Sequence, residues 1–245
     1  ARLGVRSNMN TVAGKRAMSQ TRQYPGTGAD ERTHFEPYSA FDIPADLREL
    51  HGRYDVDAMA RRVRNFRYTE EWTMMILGGW LATIPELPVK TGLGKIIWET
   101  AQAADKLGHR LPELRCGTRS IDSSEPANEG FAAFIRELSA PENPSETIEK
   151  LVGVFEVLKP HQLDVYTTVQ RETDQIADAP TIQILNEITH YLTQHIAWGA
   201  AVLDELCVQP DTRERRLARA AQLGLQLREC GGMTGRLDET TELNS

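Results

Sequence analysis

The sequence predicts an all-α fold, and three observations carry that prediction. Apolar residues recur at helical spacing over long stretches, alternating runs of β-branched residues are few, and turn-forming residues fall between the long stretches. At 245 residues, 40% of them hydrophobic and 26% charged, the chain has an ordinary globular composition and can bury a sizeable core.

Residues 1–40 are polar, hold "YPGTGADER" and show no sustained period. They are expected to form an extended or disordered arm, and its length and polarity predict a homodimer formed through it. The Gly-Thr-Gly in this arm follows no apolar strand, which argues against a phosphate-binding loop. Residues 41–230 are expected to form one helical domain. Its first helix runs from about Val56 to Thr83 and stops before "IPELP"; the second starts near Thr91 and reaches Pro112. "IDSSEPANEGFAAFIREL" opens a third helix, with serines and Pro126 suited to a helix start. "PSETIEKLVGVFEVL" follows, and Pro160 is expected to interrupt it before "HQLDVYTTVQRETDQIA". Pro180 opens "TIQILNEITHYLTQHIAWGAAVLDEL". The last helix is expected to begin at "PDTRE", with Asp211 and Glu214 as a capping box, and to end near Cys230. Residues 231–245 read as a loose polar tail.

The formal net charge of -7 and a sequence pI near 5.5 argue against a nucleic-acid-binding surface. Arginines cluster at Arg61, Arg62, Arg64 and Arg67 and again at Arg213, Arg215, Arg216 and Arg219, and both runs read as solvated helix faces. Three scattered cysteines (Cys116, Cys207, Cys230) argue against a disulfide scaffold or a zinc-thiolate site and suit a reducing cytoplasm. The longest apolar run, "WTMMILGGWLATI", is too short to cross a bilayer and ends before Pro85. No secretory signal is visible, so the chain is expected to be soluble and cytoplasmic.

Candidate chemistry lies where polar residues fall on apolar faces. "NEITHYLTQH" contains a Glu-x-x-His, Glu187 and His190, which on a helix is half of a dimetal signature. At ~100° per residue, however, Ile184, Leu185, Ile188, Leu192, Ile196, Gly199, Val202, Leu203 and Leu206 share one face. His195 lies near the middle of that face. His190 points almost the opposite way, and Glu187 sits at the edge. In the first helix Glu70 falls within the stripe of Val63, Phe66, Leu77 and Leu81, with Glu71 as the neighbouring alternative. A carboxylate there needs a partner, a metal or a raised pKa. In the second helix Glu99 borders the face of Ile96, Ala103, Ala104, Leu107 and Leu111. Trp98, Gln102, Asp105 and His109 form another stripe, and Asp105 with His109 reads as a surface pair.

The stretches "YTEEWTMMILGGWLATIPELPVK", "IIWETAQAADKLGHRLPEL" and "APTIQILNEITHYLTQHIAWG" resemble the ferritin-like superfamily, over residues 56 to 207. The branch is that of small ferritin-like domains related to dimetal oxygenases and RNA hydroxylases. The resemblance implies a four-helix bundle with extra helices. It also implies a Glu on the first helix, Glu-x-x-His on the second, a Glu on the third and Glu-x-x-His on the fourth, together holding two irons or manganese ions. Carried onto this chain, the set is degenerate: Glu70 or Glu71 first, Glu99-x-x-Gln102 second, Glu172 as a poor third, and Leu192-x-x-His195 fourth. Replacing a bridging glutamate by leucine leaves nothing to balance two cations.

The leading expectation is therefore an enzyme that acts on a small organic molecule, in specialised metabolism, by metal-independent acid–base chemistry in the former dimetal pocket. Isomerisation, cyclisation, elimination and hydrolysis are the reaction types considered. Its catalytic residues would be Glu70, Glu71, Glu99 and His195; Trp72, Met75, Gln102, Tyr191 and Leu192 would line the substrate site, and no cofactor is predicted. Trp72, Trp80, Trp98 and Trp198 are mostly expected to pack, Trp80 and Trp198 especially. The alternatives are an iron or manganese oxygenase with an unusual ligand set (Glu70, Glu99 and His195, or Glu187 and His190 in a distorted helix) and a non-catalytic scaffold.

Overall fold

The computed structural model describes residues 52–115 and 123–235. The arm at 1–40 and the dimer expected from it, together with Cys116, lie outside the described residues. Within those residues every regular element is helical and no strand occurs. Helix α1 spans Val56–Thr83 and α2 spans Leu87–Arg110, running into a 3-10 turn at Leu111–Leu114. A short α3 covers Glu129–Ser139. Then α4 (Thr147–Leu151), a π-helical segment (Val152–Leu158) and α5 (Lys159–Glu172) follow without interruption as one rod. Helices α6 (Ala179–Leu206) and α7 (Pro210–Glu229) complete the chain, followed by a 3-10 turn at Gly232–Thr234.

Short connections make antiparallel neighbours. Asp55 caps α1 by accepting from Ala58 N, and the helix stops at the extended Ile84. Pro88 then starts α2 inside its first turn, so α1 and α2 form a hairpin. α5 and α6 form a second one, and α2 packs on α6. Apolar side chains at helical spacing fill the interior, among them Phe66, Leu77, Leu93, Leu107, Phe155, Leu185 and Leu203. Gly199 lets α6 approach the π segment closely: a Cβ there would stand 2.3 Å from Phe155 Cβ. Gly92 similarly accepts the Trp198 ring.

Several local expectations need correction. The rod does not stop at Pro160. The π segment ends at Leu158, two residues before that proline, and Lys159 N–H reaches back to Val154 O. The wide turn falls where a proline, lacking an N–H and crowding the preceding carbonyl, would break an α-helical ladder. Helix α2 begins four residues earlier than its apolar stripe suggests, at Leu87 rather than Thr91. The capping box at Asp211 and Glu214 does not form, because Gln209 occupies the N-cap and makes no side-chain cap. Past Gly231 the chain is not loose at first: Met233 is fully buried and its N–H donates to His161 Nε2 at 3.0 Å. The arginine runs are not wholly solvated either. Arg62 is buried with its guanidinium 3.7 Å from the Tyr54 ring centroid, and buried Arg219 donates to Glu137 Oε1 at 2.5 Å. Among the described residues, no helix is long and apolar enough to cross a membrane.

Candidate functional site

Glu70 and Glu99 lie at matching distances from the turn between α1 and α2, so the hairpin brings them level. The second hairpin aligns two more residues in the same way. Phe155 meets Gly199; one helical turn forward on the rod is Lys159, and one turn back on antiparallel α6 is His195. Four rods thus turn Glu70, Glu99, Lys159 and His195 toward one interior region, and all four side chains are buried.

The first half of the cluster centres on Glu70. Its Oε1 accepts from Tyr166 OH at 2.8 Å and from Gln162 Nε2 at 3.0 Å. Burial raises the Glu70 carboxyl pKa, against the opposing pull of the Lys159 charge and the Tyr166 hydrogen bond. Tyr166, edge-on to Phe66 with ring centroids 4.8 Å apart, is held well above its ordinary pKa by the same burial and by the Glu70 charge. The second half is the pair Glu99 and His195, with Nε2 to Oε2 at 2.8 Å. A carboxylate oxygen only accepts, so Nε2 carries the proton and Nδ1 presents a lone pair. Burial, then the Lys159 charge, push the imidazole pKa down to about 4 despite Glu99, so the ring is neutral near pH 7.

Lys159 joins the two halves. Its Nζ is fully buried and lacks a hydrogen-bond partner among the described residues. Burial lowers its pKa to about 8, while the Glu70 and Glu99 charges hold it up. His195 Nδ1, Gln162 Oε1 and Thr100 Oγ1 are likewise buried and without partners. Native interiors rarely leave such atoms unpaired, and this interior collects four of them on neighbouring elements.

The other candidate residues are distributed elsewhere. Glu71 is half-buried and takes Arg67 Nε at 2.7 Å. Trp72 and Met75 line a surface cavity of about 580 Å³ between α1 and the turn after α3, with Trp80, Thr83, Glu142 and Asn143. Further cavities of about 410 and 590 Å³ lie near Arg219 and Arg110, and none of the three is lined by Glu70, Glu99, Lys159 or His195. Gln102 is exposed, Tyr191 is half-buried against the exposed His190, and Leu192 is core. Glu187 pairs with Lys106, and Asp105 meets His109 at the surface. Glu172 accepts from Tyr54 OH at 2.6 Å, in a contact separate from the cluster.

The donor set does not fit a dimetal centre. Among the described residues no three His, Cys, Asp or Glu side chains converge closely enough to hold a metal ion. A buried ammonium, Lys159, comes from the rod that would supply the third helix's carboxylate, and it repels cations. No family model, curated protein or solved structure matches this chain.

Proposed function

We propose that this chain is a ferritin-like four-helix-bundle enzyme that transfers protons on a small organic molecule without a metal, at Glu99 and His195. The carrying observation is the His195 imidazole. Its Nε2 is fixed on Glu99 and its Nδ1 is buried with no partner. Carboxylate-oriented imidazoles of this kind hold one tautomer and leave the other nitrogen to accept a proton. Lys159 sets the local charge, and Glu70, bound by Tyr166 and Gln162, closes the opposite side. Isomerisation and elimination beside a carbonyl suit one base next to a cation. A cytoplasmic homodimer formed through residues 1–40 belongs to the same reading, and a monomeric mass in solution would remove that part.

The test is proton exchange. Small ketones, aldehydes and hydroxy acids are incubated with the protein in D2O, and loss of the α-proton signal is followed by NMR. Exchange is expected to fall by about a hundredfold or more in His195→Ala. His195→Gln, which can still donate to Glu99 but has no ring base, should fall equally. Exchange unchanged in both variants rejects the reading. So do two irons per chain with an oxygen-dependent charge-transfer band after anaerobic Fe(II) loading.

A further inference from the structure

We infer that Lys159 is a covalent substrate site, whose buried amine takes a small uncharged aldehyde or ketone as an imine. This rests on the acid–base reading above and deepens it by assigning a substrate class.

Lys150, also fully buried and on the same rod, donates to Thr83 Oγ1, Asn143 O and Glu142 O, which uses its three N–H bonds. Among the described residues Lys159 donates to nothing. A buried amine that anchors no structure and carries reduced proton affinity is the usual form of an imine-forming lysine. The unpartnered His195 Nδ1 beside it supplies the proton carrier that carbonyl addition needs. As neutral Nζ attacks the carbonyl carbon, the C=O π pair moves to oxygen, and a proton must pass from nitrogen to that oxygen. His195, close enough to feel the Lys159 charge, can receive it at Nδ1 and return it to the oxygen. A second proton then expels the oxygen as water while C=N forms. The balance is one carbonyl compound plus one amine giving one imine plus one water, with no oxidant or reductant.

Charge selects among carbonyl compounds. Glu70 and Glu99 already face the buried Lys159 ammonium, so a substrate carboxylate would bring a third negative group into a buried region. An uncharged aldehyde or ketone adds none. The fully enclosed position selects small molecules, which enter through local openings of the rods.

The experiment is reductive trapping on the full chain. Protein is treated briefly with limiting propanal and borohydride, digested, and the N-propyl lysines are located by mass spectrometry. Non-specific chemistry would favour exposed amines, such as Lys95, over a buried one. Lys159 is expected to be labelled at least about tenfold ahead of Lys90, Lys95 and Lys106, its larger neutral fraction near pH 7 outweighing its poorer access. Lys150 should stay unlabelled. Label confined to surface lysines overturns the inference, and trapping of pyruvate as readily as propanal overturns the uncharged class. Lys159→Met separates the two levels. If α-proton exchange persists in that variant but falls in His195→Gln, the imine is wrong and the acid–base reading stands. If His195→Gln also leaves exchange unchanged, the acid–base reading fails with it.

Discussion

Two lysines on one helical rod are equally buried and differ in everything else. Lys150 holds the turn after α3 against α1, donating to two backbone carbonyls and to Thr83. Burial lowers its pKa, and Glu146, Glu86 and Glu142 push it back up. Lys159 is answered only by charge at a distance from Glu70 and Glu99. Hydrogen bonding thus separates architecture from chemistry among buried cations. A buried cation that completes hydrogen bonds is scaffolding, while one left without them costs stability.

The largest effect expected from breaking this comparison is at Lys150. Lys150→Met leaves two carbonyls and a hydroxyl without their donor, and should lose about 3 kcal/mol or more in urea unfolding. Lys159→Met should do the opposite and gain on the order of 3 kcal/mol at pH 7. The sign follows from the folded pKa of about 8, below the ordinary 10.5. Between those values the unfolded chain binds more protons, so wild-type stability rises with pH from about 8 to 10.5 and the ammonium's full cost stands below 8. The groups facing it are Glu70, Glu99 and His195. A flat profile over that range in wild type would contradict the buried cation; a flattened one is the expectation for Lys159→Met.

A smaller effect tests whether the rods' close approach positions the cluster. Gly199→Ala places a Cβ against Phe155 and should cost about 1–3 kcal/mol. Its useful readout is the His195 imidazole, whose NMR titration should move up from about 4 as Lys159 is displaced. A stability loss with an unmoved titration would show that Gly199 only packs. The smallest effect is at the surface, where Lys95 Nζ stands 3.4 Å from Glu99 Oε1 and is mostly exposed. Lys95→Ala should change stability by about 0–1 kcal/mol.

The helical class and three of the cluster's residues were legible in the sequence, for a physical reason. Glu70 and His195 fall inside apolar stripes and Glu99 borders one, so burial follows from period alone. The fourth, Lys159, was not. Lysine reads as surface, and the adjacent Pro160 reads as a helix end, so the rod's inward series of Phe155, Lys159, Gln162, Tyr166 and Val169 was divided in two. That 4-3-4-3 spacing was the available signal. The Glu-x-x-His at Glu187 and His190 erred the other way: its letters match a motif, but His190 is exposed and Glu187 is held by Lys106.

The π segment has a consequence for how such a site changes over generations. Each of its hydrogen-bonded rings takes one residue more than an α-helical ring. Gain or loss of a single codon there would re-aim every side chain beyond it by about 100° while leaving the rod's other half in place. A bundle built this way can change which residue it points inward through a one-residue shift of register rather than a new fold.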